Sequence, residues 1–396
     1  MVNKKLKILH VLPYFYPAWA YGGVPRVVFE LTKELARIGH EVTVYTTDVF
    51  DRSSRLRGID SGTEAVVDGV KVVYFKNLSN RLAYDLQLFL PFGLRKKIKE
   101  TLPDFDIIHL HSHRHFLNNI VHYYAKKFKK PYLLSAHGTV TQIERRFFLK
   151  TVFDILFGRQ ILEEATHFVA VSKIEVDQYK SMGIPKERTT LIYNGIDIKA
   201  LSKASINSNF KKKYNLEGKK IVLYLGRISP GKGVDFLLRA FSLLEDKESV
   251  LVIAGNDMGF KKELLKIIEK KNLNGRVIFT GLVTDEKKIS LYRDANVVVY
   301  PAHNEIFGLV PFEALICETP VIVTDDSGCG DIIGGNALGA TVKYGDVEGL
   351  RDKIRETLES ENNSQSVQRG VEFIKKNLDW KIIGAKYTDL YGKIIS

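Results

Sequence analysis

The chain has 396 residues, of which 45% are hydrophobic, so it is long enough for two folded domains with sizeable cores. Its two cysteines, Cys317 and Cys329, exclude a disulfide framework and a CxxC metal pair, and they suit a reducing compartment. A formal net charge of +13 is compatible with solvated helix faces, with attraction to an anionic membrane surface and with nucleic-acid binding. Nucleic-acid binding is disfavoured, because no recognition motif accompanies the charge.

The N-terminal segment is basic and then apolar, like a secretory signal, but its apolar run is short, contains His10 and Pro13 and lacks a small-residue cleavage site. It predicts instead a first buried strand over residues 7–12. No window of the sequence approaches the roughly 20 apolar residues of a membrane-spanning helix. We therefore expect a cytoplasmic protein, and basic segments such as 94–99 leave peripheral contact with the inner face of the membrane as a hypothesis.

Apolar β-branched runs alternate with amphipathic segments through the first half, which is typical of βαβ units and a parallel sheet. The strands predicted after the first one cover residues 41–46, 70–75, 107–111, 132–135 and 168–171. The helices predicted between them cover residues 24–38, 94–101, 118–128, 143–165 and 173–182.

A turn at residues 194–197, followed by a polar stretch, interrupts this alternation and predicts a domain boundary after residue 197. A second series of strands is predicted at residues 221–225, 250–253, 277–280, 297–300, 321–324 and 340–342. Its helices are predicted at residues 234–244, 261–271, 285–294, 311–317, 349–358, 365–376 and 380–395. Each half therefore predicts a doubly wound α/β domain of its own, over residues 1–197 and 198–379.

The loop after the fourth strand of the second series carries the strongest chemical signal, because it leads from a strand's carboxyl end into a helix, where open α/β sheets bind ligands. The backbone amides of Phe307, Gly308 and Leu309 would point outward at the helix start and favour a phosphate. Glu305 and Glu313 flank that position, and we interpret them as acceptors for sugar or ribose hydroxyls. Taken alone, a solvated loop residue and a first-turn helix charge explain these glutamates as well.

A second loop, from Gly226 to Gly233, also joins a strand to a helix, but it is not a P-loop because a glycine follows Lys232 where the motif has Ser or Thr. Arg227 and Lys232 place two cations beside flexible glycines, which suits a diphosphate leaving group. The alternative is a tight turn with two exposed cations. A Gly-Gly pair ending at Gly23, after the first strand, is a weaker candidate for close backbone approach to a ligand.

The chain contains, in this order, the Gly-Gly loop, the Asn-Gly-Ile-Asp turn, the Gly-Arg…Gly-Lys-Gly loop and a Glu-x7-Glu motif containing Glu-x-Phe-Gly. With these motifs it resembles the retaining GT-B glycosyltransferases of family 4, the glycosyl transferases group 1. The resemblance runs nearly end to end, and the order and spacing of the motifs make it specific. It implies two Rossmann-like doubly wound domains that face a central cleft. It also implies that the last helix, within residues 380–396, returns to complete the first domain.

The resemblance implies roles for individual residues. Arg227 and Lys232 would neutralise the diphosphate of the donor. Glu305 would bind hydroxyls of the transferred sugar, and Glu313 would bind the ribose. Gly23 would touch the diphosphate or the acceptor side from the first domain.

The activity that the resemblance implies is retaining, metal-independent transfer of a hexose from a UDP- or GDP-sugar to a glycan, lipid-linked or small-molecule acceptor, as in polysaccharide biosynthesis. No metal or other cofactor is expected, and the DxD-like pair Asp104 and Asp106 precedes a strand instead of following one. Two positions depart from the family pattern. Asp331 stands where glutamate is usual, and Glu318 stands where glycine is frequent.

His109, His111, His113 and His115 alternate along a predicted strand, which would place all four on one face. A zinc site is disfavoured, because no Asp or Glu follows close by and the family needs no metal. The functional alternative is that some of these histidines, at a strand's carboxyl end, line the acceptor side of the cleft. His137, in Ser-Ala-His-Gly-Thr, matches a family histidine near the donor sugar.

Three other functions stay open at this point. A sugar-nucleotide epimerase of the same fold would isomerise the donor without an acceptor. A basic nucleic-acid-binding protein would bind with a steep salt dependence and would ignore nucleoside diphosphates. A dinucleotide-dependent dehydrogenase is disfavoured because no G-x-G-x-x-G follows the first strand.

Overall fold

The structure, a computed structural model, describes residues 5–140, 151–203, 210–283, 285–360 and 363–396. The chain divides into two compact units: the first runs to Gly195 and takes up Trp380–Ser396, and the second is Ile196–Asp379. The observed division lies two residues before the expected one at residue 197. Among the described residues, no helix has both the length and the apolar character needed to cross a membrane.

The first unit contains an eight-stranded sheet in which every pairing is parallel except one at the edge. Its strands are β1 (Lys7–Val11), β2 (Glu41–Thr47), β3 (Thr63–Val67), β4 (Val70–Phe75), β5 (Ile107–His111), β6 (Tyr132–Ser135), β7 (His167–Ala170) and β8 (Thr189–Leu191). They lie in the order β3-β4-β2-β1-β5-β6-β7-β8. The central strands are buried on both faces, as their continuous apolar runs predict.

The helices of the first unit alternate with its strands, and all but α2 lie in or beside segments predicted to be helical. They are α1 (Gly23–Ile38), α2 (Asn80–Leu86), α3 (Leu94–Thr101), α4 (Phe116–Phe128), α5 (Arg159–Glu164), α6 (Lys173–Ser181) and, after the second unit, the C-terminal helix. Helix α1 buries Val28, Leu31 and Leu35 along one stripe and ends at Gly39, whose φ of 115° provides a left-handed cap. The C-terminal helix packs on α1, and a side chain at Gly384 would lie 2.6 Å from Cγ of Glu34.

Several features of the first unit differ from the predictions. The antiparallel edge strand β3, the short edge strand β8 and helix α2 were not predicted, because three to seven residues give too little periodicity to detect. The long helix predicted at 143–165 lies partly outside the described residues. Its described part contains a π-helical turn, Asp154–Gly158, before α5.

The second unit contains a six-stranded, wholly parallel sheet. Its strands are β9 (Lys220–Leu225), β10 (Ser249–Ala254), β11 (Val277–Gly281), β12 (Val297–Tyr300), β13 (Val321–Thr324) and β14 (Ala340–Val342), in the order β11-β10-β9-β12-β13-β14. Its helices are α7 (Ile198–Lys203), α8 (Phe210–Lys213), α9 (Val234–Phe241), α10 (Lys261–Lys270), α11 (Asp285–Asp294), α12 (Leu309–Ile316), α13 (Gly328–Gly335), α14 (Val347–Glu359) and α15 (Asn363–Asn377). The C-terminal helix, α16 (Trp380–Ile395), belongs to the first unit.

Helix α13 was not predicted, because four glycines in eight residues give a low helix propensity. Tertiary packing overrides that propensity: a Cβ at Gly330 would collide with the carbonyl oxygen of Thr324, so the helix lies against the end of β13. The Ser327 hydroxyl caps the helix start by accepting the amide of Gly330 at 3.0 Å. Asp331 consequently lies in a helical first turn.

Each sheet reverses its strand order at one place. In the first unit the reversal lies between β1 and β5, and in the second between β9 and β12. Loops that leave the carboxyl ends of such strands diverge to opposite faces of the sheet and open a crevice for a ligand. The loops singled out in the sequence follow these four strands or their immediate neighbours.

Candidate active site

Two loops of the second unit lie against each other at the strand-order reversal. The first follows β9 and the second follows β12. The amide of His303 donates to the carbonyl oxygen of Gly231 at 2.9 Å. Gly233 has a φ of 69°, and a Cβ there would collide with the carbonyl oxygen of Pro301, so only glycine fits at this contact. The two loops therefore form one surface.

The central contact of this surface is an ion pair between the Lys232 ammonium and Oε2 of Glu305. Each side chain is 19% exposed. The Tyr300 hydroxyl, at the end of β12, donates to the same oxygen at 2.8 Å. Burial opposes ionisation of the Glu305 carboxyl, but the Lys232 ammonium and these hydrogen bonds outweigh it and lower the pKa of Glu305. Glu305 is therefore a carboxylate at neutral pH.

Arg227 belongs to the same surface. Its guanidinium also lowers the pKa of Glu305, and the Tyr224 hydroxyl fixes its backbone by donating to the Arg227 carbonyl oxygen at 2.8 Å. The Arg227 side chain is exposed. The structure thus gathers two cations and one carboxylate, all three singled out in the sequence, on two adjacent loops.

Helix α12 begins at this surface. It starts at Leu309, two residues before the predicted position, because Pro311 is tolerated in a first helical turn. Gly308 precedes it with a φ of 75°, and a Cβ there would lie 2.9 Å from Sγ of Cys329 and 3.0 Å from Cε1 of Tyr300. The N-cap residue is Gly308, which has no side chain to cap the helix, and first-turn amides with the helix dipole favour an anion at such a position. Phe307 is buried against Phe312, with ring centroids 5.3 Å apart.

A second helix start also contacts Glu305. The first amide of α13, that of Gly328, donates to the backbone carbonyl of Glu305 at 2.8 Å. Burial raises the pKa of the Cys329 thiol to about 12, so this cysteine is a packing residue and not a nucleophile.

Sequence reasoning missed Tyr224 and Tyr300, although a tyrosine at or near the carboxyl end of an otherwise aliphatic strand is a detectable signal.

Glu313 is held by helix α11. Its Oε1 pairs with Lys288 at 3.0 Å, and its Oε2 accepts the Tyr292 hydroxyl at 2.7 Å. The Glu313 side chain is 16% exposed. Both carboxylate oxygens therefore already have protein partners on the neighbouring helix, which distinguishes Glu313 from Glu305.

In the first unit, Gly23 is the first residue of α1, after β1. Gly22 precedes it with a φ of 108°, and as the N-cap residue it has no side chain to cap the helix. The ring of Tyr21 stacks on Tyr14, with centroids 4.7 Å apart, which fixes the chain leading into this turn. Gly23 thus lies on an exposed turn at the carboxyl edge of the sheet.

His137 is at the same edge, after β6, in a left-handed conformation with a φ of 50°. Such a backbone is uncommon for a residue with a side chain and is maintained by its surroundings. Its Nε2 lies 3.1 Å from Nδ1 of His111, whose Nε2 lies 2.9 Å from Nδ1 of His10. Burial lowers the pKa of His137 to about 4 and that of His10 to about 3, so these imidazoles are neutral at pH 7.

The expectation that four alternating histidines share one face is wrong. Strand β5 ends at His111, and Ser112 has a φ of 61°, so the alternation stops there. His113 lies 3.5 Å from Asp154, and His115 packs among aromatic rings. The residue that joins the strand histidines is instead His10 of β1.

His10, His109 and His111 are close enough to suggest a metal site, with one potential ligand atom of each lying within 4.8 Å of the others. However, both ring nitrogens of His109 bond elsewhere, at 2.8 Å to Tyr391 and 2.7 Å to Ser135, and both of His111 bond to histidines. Of the ring nitrogens of these three histidines, only Nε2 of His10 is buried without a partner in the part of the chain that the structure describes. The three rings are thus engaged in packing the sheet under α16.

Glu175 of α6 fixes the His137 turn, a role that the sequence analysis missed. Its two carboxyl oxygens accept the amides of Gly138 at 2.6 Å and Val171 at 2.9 Å. Burial raises the pKa of Glu175 to about 7, although both amides favour the charged form. The sequence Ser172-x-x-Glu175 predicts a capping box, which places the glutamate at the helix start but does not show that it reaches the next loop.

Comparison with known proteins identifies relatives that match both units. The family model described as Glycosyltransferase Family 4 matches residues 21–200, and the one described as Glycosyl transferases group 1 matches residues 206–372. The chain is 29% identical over 334 residues to an uncharacterized glycosyltransferase of Methanocaldococcus jannaschii, covering 80% of each protein. It is 26% identical over 365 residues to a D-inositol 3-phosphate glycosyltransferase of Mycolicibacterium smegmatis, covering 89% of this chain and 82% of that one.

A solved structure has the same fold. The crystal structure of HepE of Anabaena in complex with UDP superimposes with a TM-score of 0.78, at 18% identity, over 98% of this chain and all of that one. The prediction of two Rossmann-like, doubly wound units is thereby confirmed.

Proposed function

The chain belongs to the family 4, or group 1, glycosyltransferases of GT-B fold. We therefore propose that it transfers a hexose from a UDP- or GDP-sugar to a glycan, lipid-linked or small-molecule acceptor, with retention of the anomeric configuration. The observation that carries this proposal is the pairing of Lys232 with Glu305 beside Arg227, at the strand-order reversal of the second unit.

The cations of this surface suit a departing diphosphate. Lys232 has three N–H donors, so it can keep its bond to Glu305 and still donate to a phosphate oxygen. Arg227 offers a planar fork that matches phosphate geometry. The amides at the start of α12 add donors for the developing negative charge, and such preorganised donors contribute about 3 kcal/mol each in enzymes that stabilise oxyanions.

Glu305 suits the hydroxyls of the transferred sugar. Lys232 and Tyr300 both bond to its Oε2, and among the described residues Oε1 has no hydrogen-bond partner. An ionised carboxylate only accepts hydrogen bonds, so this open oxygen fits a sugar hydroxyl better than a phosphate. We assign Glu313 to the ribose, Gly23 to the diphosphate or the acceptor side, and His137 to the neighbourhood of the donor sugar.

The chemical step that we propose is attack of the acceptor hydroxyl on the face from which the diphosphate leaves. The bond from the anomeric carbon to the phosphate oxygen breaks as the new glycosidic bond forms, and the departing phosphate takes the proton of the acceptor. In this step Lys232 and Arg227 would supply the positive charge beside the leaving group, so we propose that it proceeds without a metal. The buried, unbridged thiols Cys317 and Cys329 support a reducing, cytoplasmic site of action.

A thermal-shift screen of nucleoside diphosphates and nucleotide sugars tests the proposal. A bound ligand stabilises the folded state in proportion to the logarithm of its concentration, so we expect UDP or GDP and the matching sugar nucleotide to raise Tm. The preferred sugar nucleotide is then incubated with candidate acceptors, and the product anomer is determined by NMR. Failure of every nucleoside diphosphate to raise Tm would overturn the function. An inverted anomer would overturn the proposed step, and isomerised donor formed without acceptor would indicate an epimerase.

A further inference from the structure

A cavity of about 650 Å³ opens in the first unit between the loops that follow β2 and β4. Both loops leave carboxyl ends of parallel strands, so the cavity lies at the sheet edge that also carries Gly23. The Tyr84 ring of α2 packs on Tyr21 of the Gly23 turn, with centroids 5.5 Å apart. Four arginines line the cavity, namely Arg52, Arg55, Arg57 and Arg81.

Two of these arginines hold the loops together. Arg52 forms two bonds to the Asp85 carboxylate, at 2.9 and 3.1 Å. Arg55 pairs with the buried Asp48 at 2.9 Å and donates to the carbonyl oxygen of Asn77 at 2.6 Å. Their charges are neutralised by these carboxylates, and their role is to shape the cavity.

The other two arginines have no such partners. Arg57 and Arg81 are exposed, and within the described part of the chain neither forms a hydrogen bond or ion pair. The nearby carboxylate of Asp51 is already satisfied by the amides and hydroxyls of Ser53 and Ser54. The cavity therefore presents two uncompensated guanidinium groups, which fit a dianion.

A second observation points to a ligand that also carries hydroxyls. Asn80 lines the cavity, is only 8% exposed, and donates from its side-chain nitrogen to the carbonyl oxygen of Ser54. Its side-chain oxygen is buried without a partner among the described residues. A buried acceptor of this kind is costly unless a donor reaches it, and a ligand hydroxyl supplies one.

We propose that this cavity binds the phosphate group of a phosphorylated acceptor, with Arg57 and Arg81 as phosphate ligands and Asn80 accepting a hydroxyl beside it. This inference rests on the proposed glycosyltransferase function and narrows its acceptor to a phosphate ester. Leu78, on the cavity wall, is 51% exposed, so the phosphate can belong to a soluble sugar phosphate or to a lipid headgroup.

Binding to two probes tests the proposal and separates these sources. Calorimetry compares glucose 6-phosphate with glucose, and cosedimentation compares phosphatidylcholine vesicles with and without phosphatidic acid. The variants are Arg57→Gln/Arg81→Gln and a charge-matched control, Lys127→Gln/Lys180→Gln, at exposed lysines of α4 and α6. All four positions are exposed, so Tm should not change.

We expect binding of at least one phosphate-bearing probe, a loss of about tenfold or more in affinity with the arginine pair replaced, and no loss in the control. Binding to vesicles alone assigns the phosphate to a lipid headgroup, and binding to glucose 6-phosphate assigns it to a soluble ester. Binding of neither probe, or equal loss in both double variants, overturns the inference. UDP titrated in parallel keeps the two proposals apart: if UDP binds normally while the phosphate probes fail, only the acceptor assignment falls.

Discussion

The Glu305 carboxylate is held at one oxygen and open at the other, and this asymmetry defines its chemistry. Lys232 and Tyr300 fix Oε2, whereas Glu313 has both oxygens bonded to α11. The two glutamates occupy equivalent places in a sequence motif, yet only Glu305 has a carboxylate oxygen available to a ligand without rearrangement.

Glu305→Gln should lower kcat by about 100-fold or more, because it weakens the oxygen that we propose as the acceptor for a hydroxyl of the donor sugar. The dissociation constant of the nucleoside diphosphate should stay unchanged or decrease, since Lys232 loses its competing anion. Steady-state kinetics and calorimetry measure the two effects. Glu263→Gln, which removes an exposed Lys-paired glutamate on α10, is the control. Equal losses of turnover and nucleotide affinity would place Glu305 elsewhere than at the sugar.

Lys232→Ala should weaken nucleoside diphosphate binding by about tenfold or more, because a charge-assisted hydrogen bond to phosphate contributes roughly 1.5–3 kcal/mol. Lys270→Ala, at an exposed lysine of α10, should leave the affinity unchanged. Calorimetry at one ionic strength compares the three proteins. An unchanged dissociation constant for Lys232→Ala would reject the diphosphate assignment.

Glu175 should make the stability of the protein depend on pH. Its pKa is raised from 4.5 to about 7 in the folded state, so between these values the unfolded carboxyl ionises while the folded one keeps its proton. The free energy of unfolding, relative to that of Glu175→Gln, should therefore fall as pH rises through this window, by about 1.4 kcal/mol per pH unit. The total loss should be about 3 kcal/mol, and the difference should level off above the window. Urea unfolding of both proteins across the window measures the difference. A difference that is independent of pH would show that the pKa is not raised.

At the scale of elements, the site depends on how closely two loops approach. The β9 and β12 loops meet at Gly233 and Pro301, and the start of α13 bonds to the backbone of Glu305. The parallel strands place these loops side by side, and glycine permits the contact because it has no Cβ. The same principle operates in the first unit, where Gly384 lets α16 approach α1.

Gly233→Ala and Gly231→Ala form a matched pair for this contact. Both residues have a φ near 70–80°, but a Cβ at Gly233 would collide with the carbonyl oxygen of Pro301, whereas a Cβ at Gly231 meets nothing within 4 Å. We expect Gly231→Ala to cost about 1 kcal/mol of unfolding free energy and Gly233→Ala about 3 kcal/mol, with loss of nucleoside diphosphate affinity in the second variant only. Equal costs in chemical denaturation would show that the loops do not meet as described.

At the scale of the whole molecule, the chain leaves its first unit at Gly195 and returns to it at Trp380. Helix α16 supplies Tyr391 to His109 and packs Trp380 against Gly195, where a Cβ would collide with the indole. The C-terminal helix is therefore a structural part of the first unit, although it is last in the sequence.

Ending the chain after Asp379 should expose the core of the first unit and leave the second unit continuous. Limited proteolysis with mass spectrometry should then show rapid cleavage before residue 195 and a protected fragment of about Ile196–Asp379. The full chain under the same conditions is the control. Persistent protection of residues before 195 in the shortened chain would show that α16 is dispensable for that unit.

Much of this protein was predictable from local sequence. Most strands lie within one or two residues of the predicted ranges, because continuous apolar runs between turns identify buried parallel strands. The loops carrying Lys232 and Glu305 were identified from their glycines, charges and positions after strands. The edge strands β3 and β8 and helix α13 were not predicted, since short or glycine-rich segments have little periodicity. The role of Glu175 was not predicted either, because it depends on a contact with the loop after β6.

The sequence by itself determined the alternation of strands and helices, the family and the charged residues of the β9 and β12 loops, because these depend on local periodicity and motif spacing. Only the tertiary structure decided that Lys232 bonds to one oxygen of Glu305 and that His10 replaces His113 and His115 beside the strand histidines. It also decided that Arg57 and Arg81 share a cavity in which no carboxylate of the described residues pairs with them. Such contacts join residues far apart in the chain, and their energies depend on burial and strand order. Local pattern does not encode either quantity.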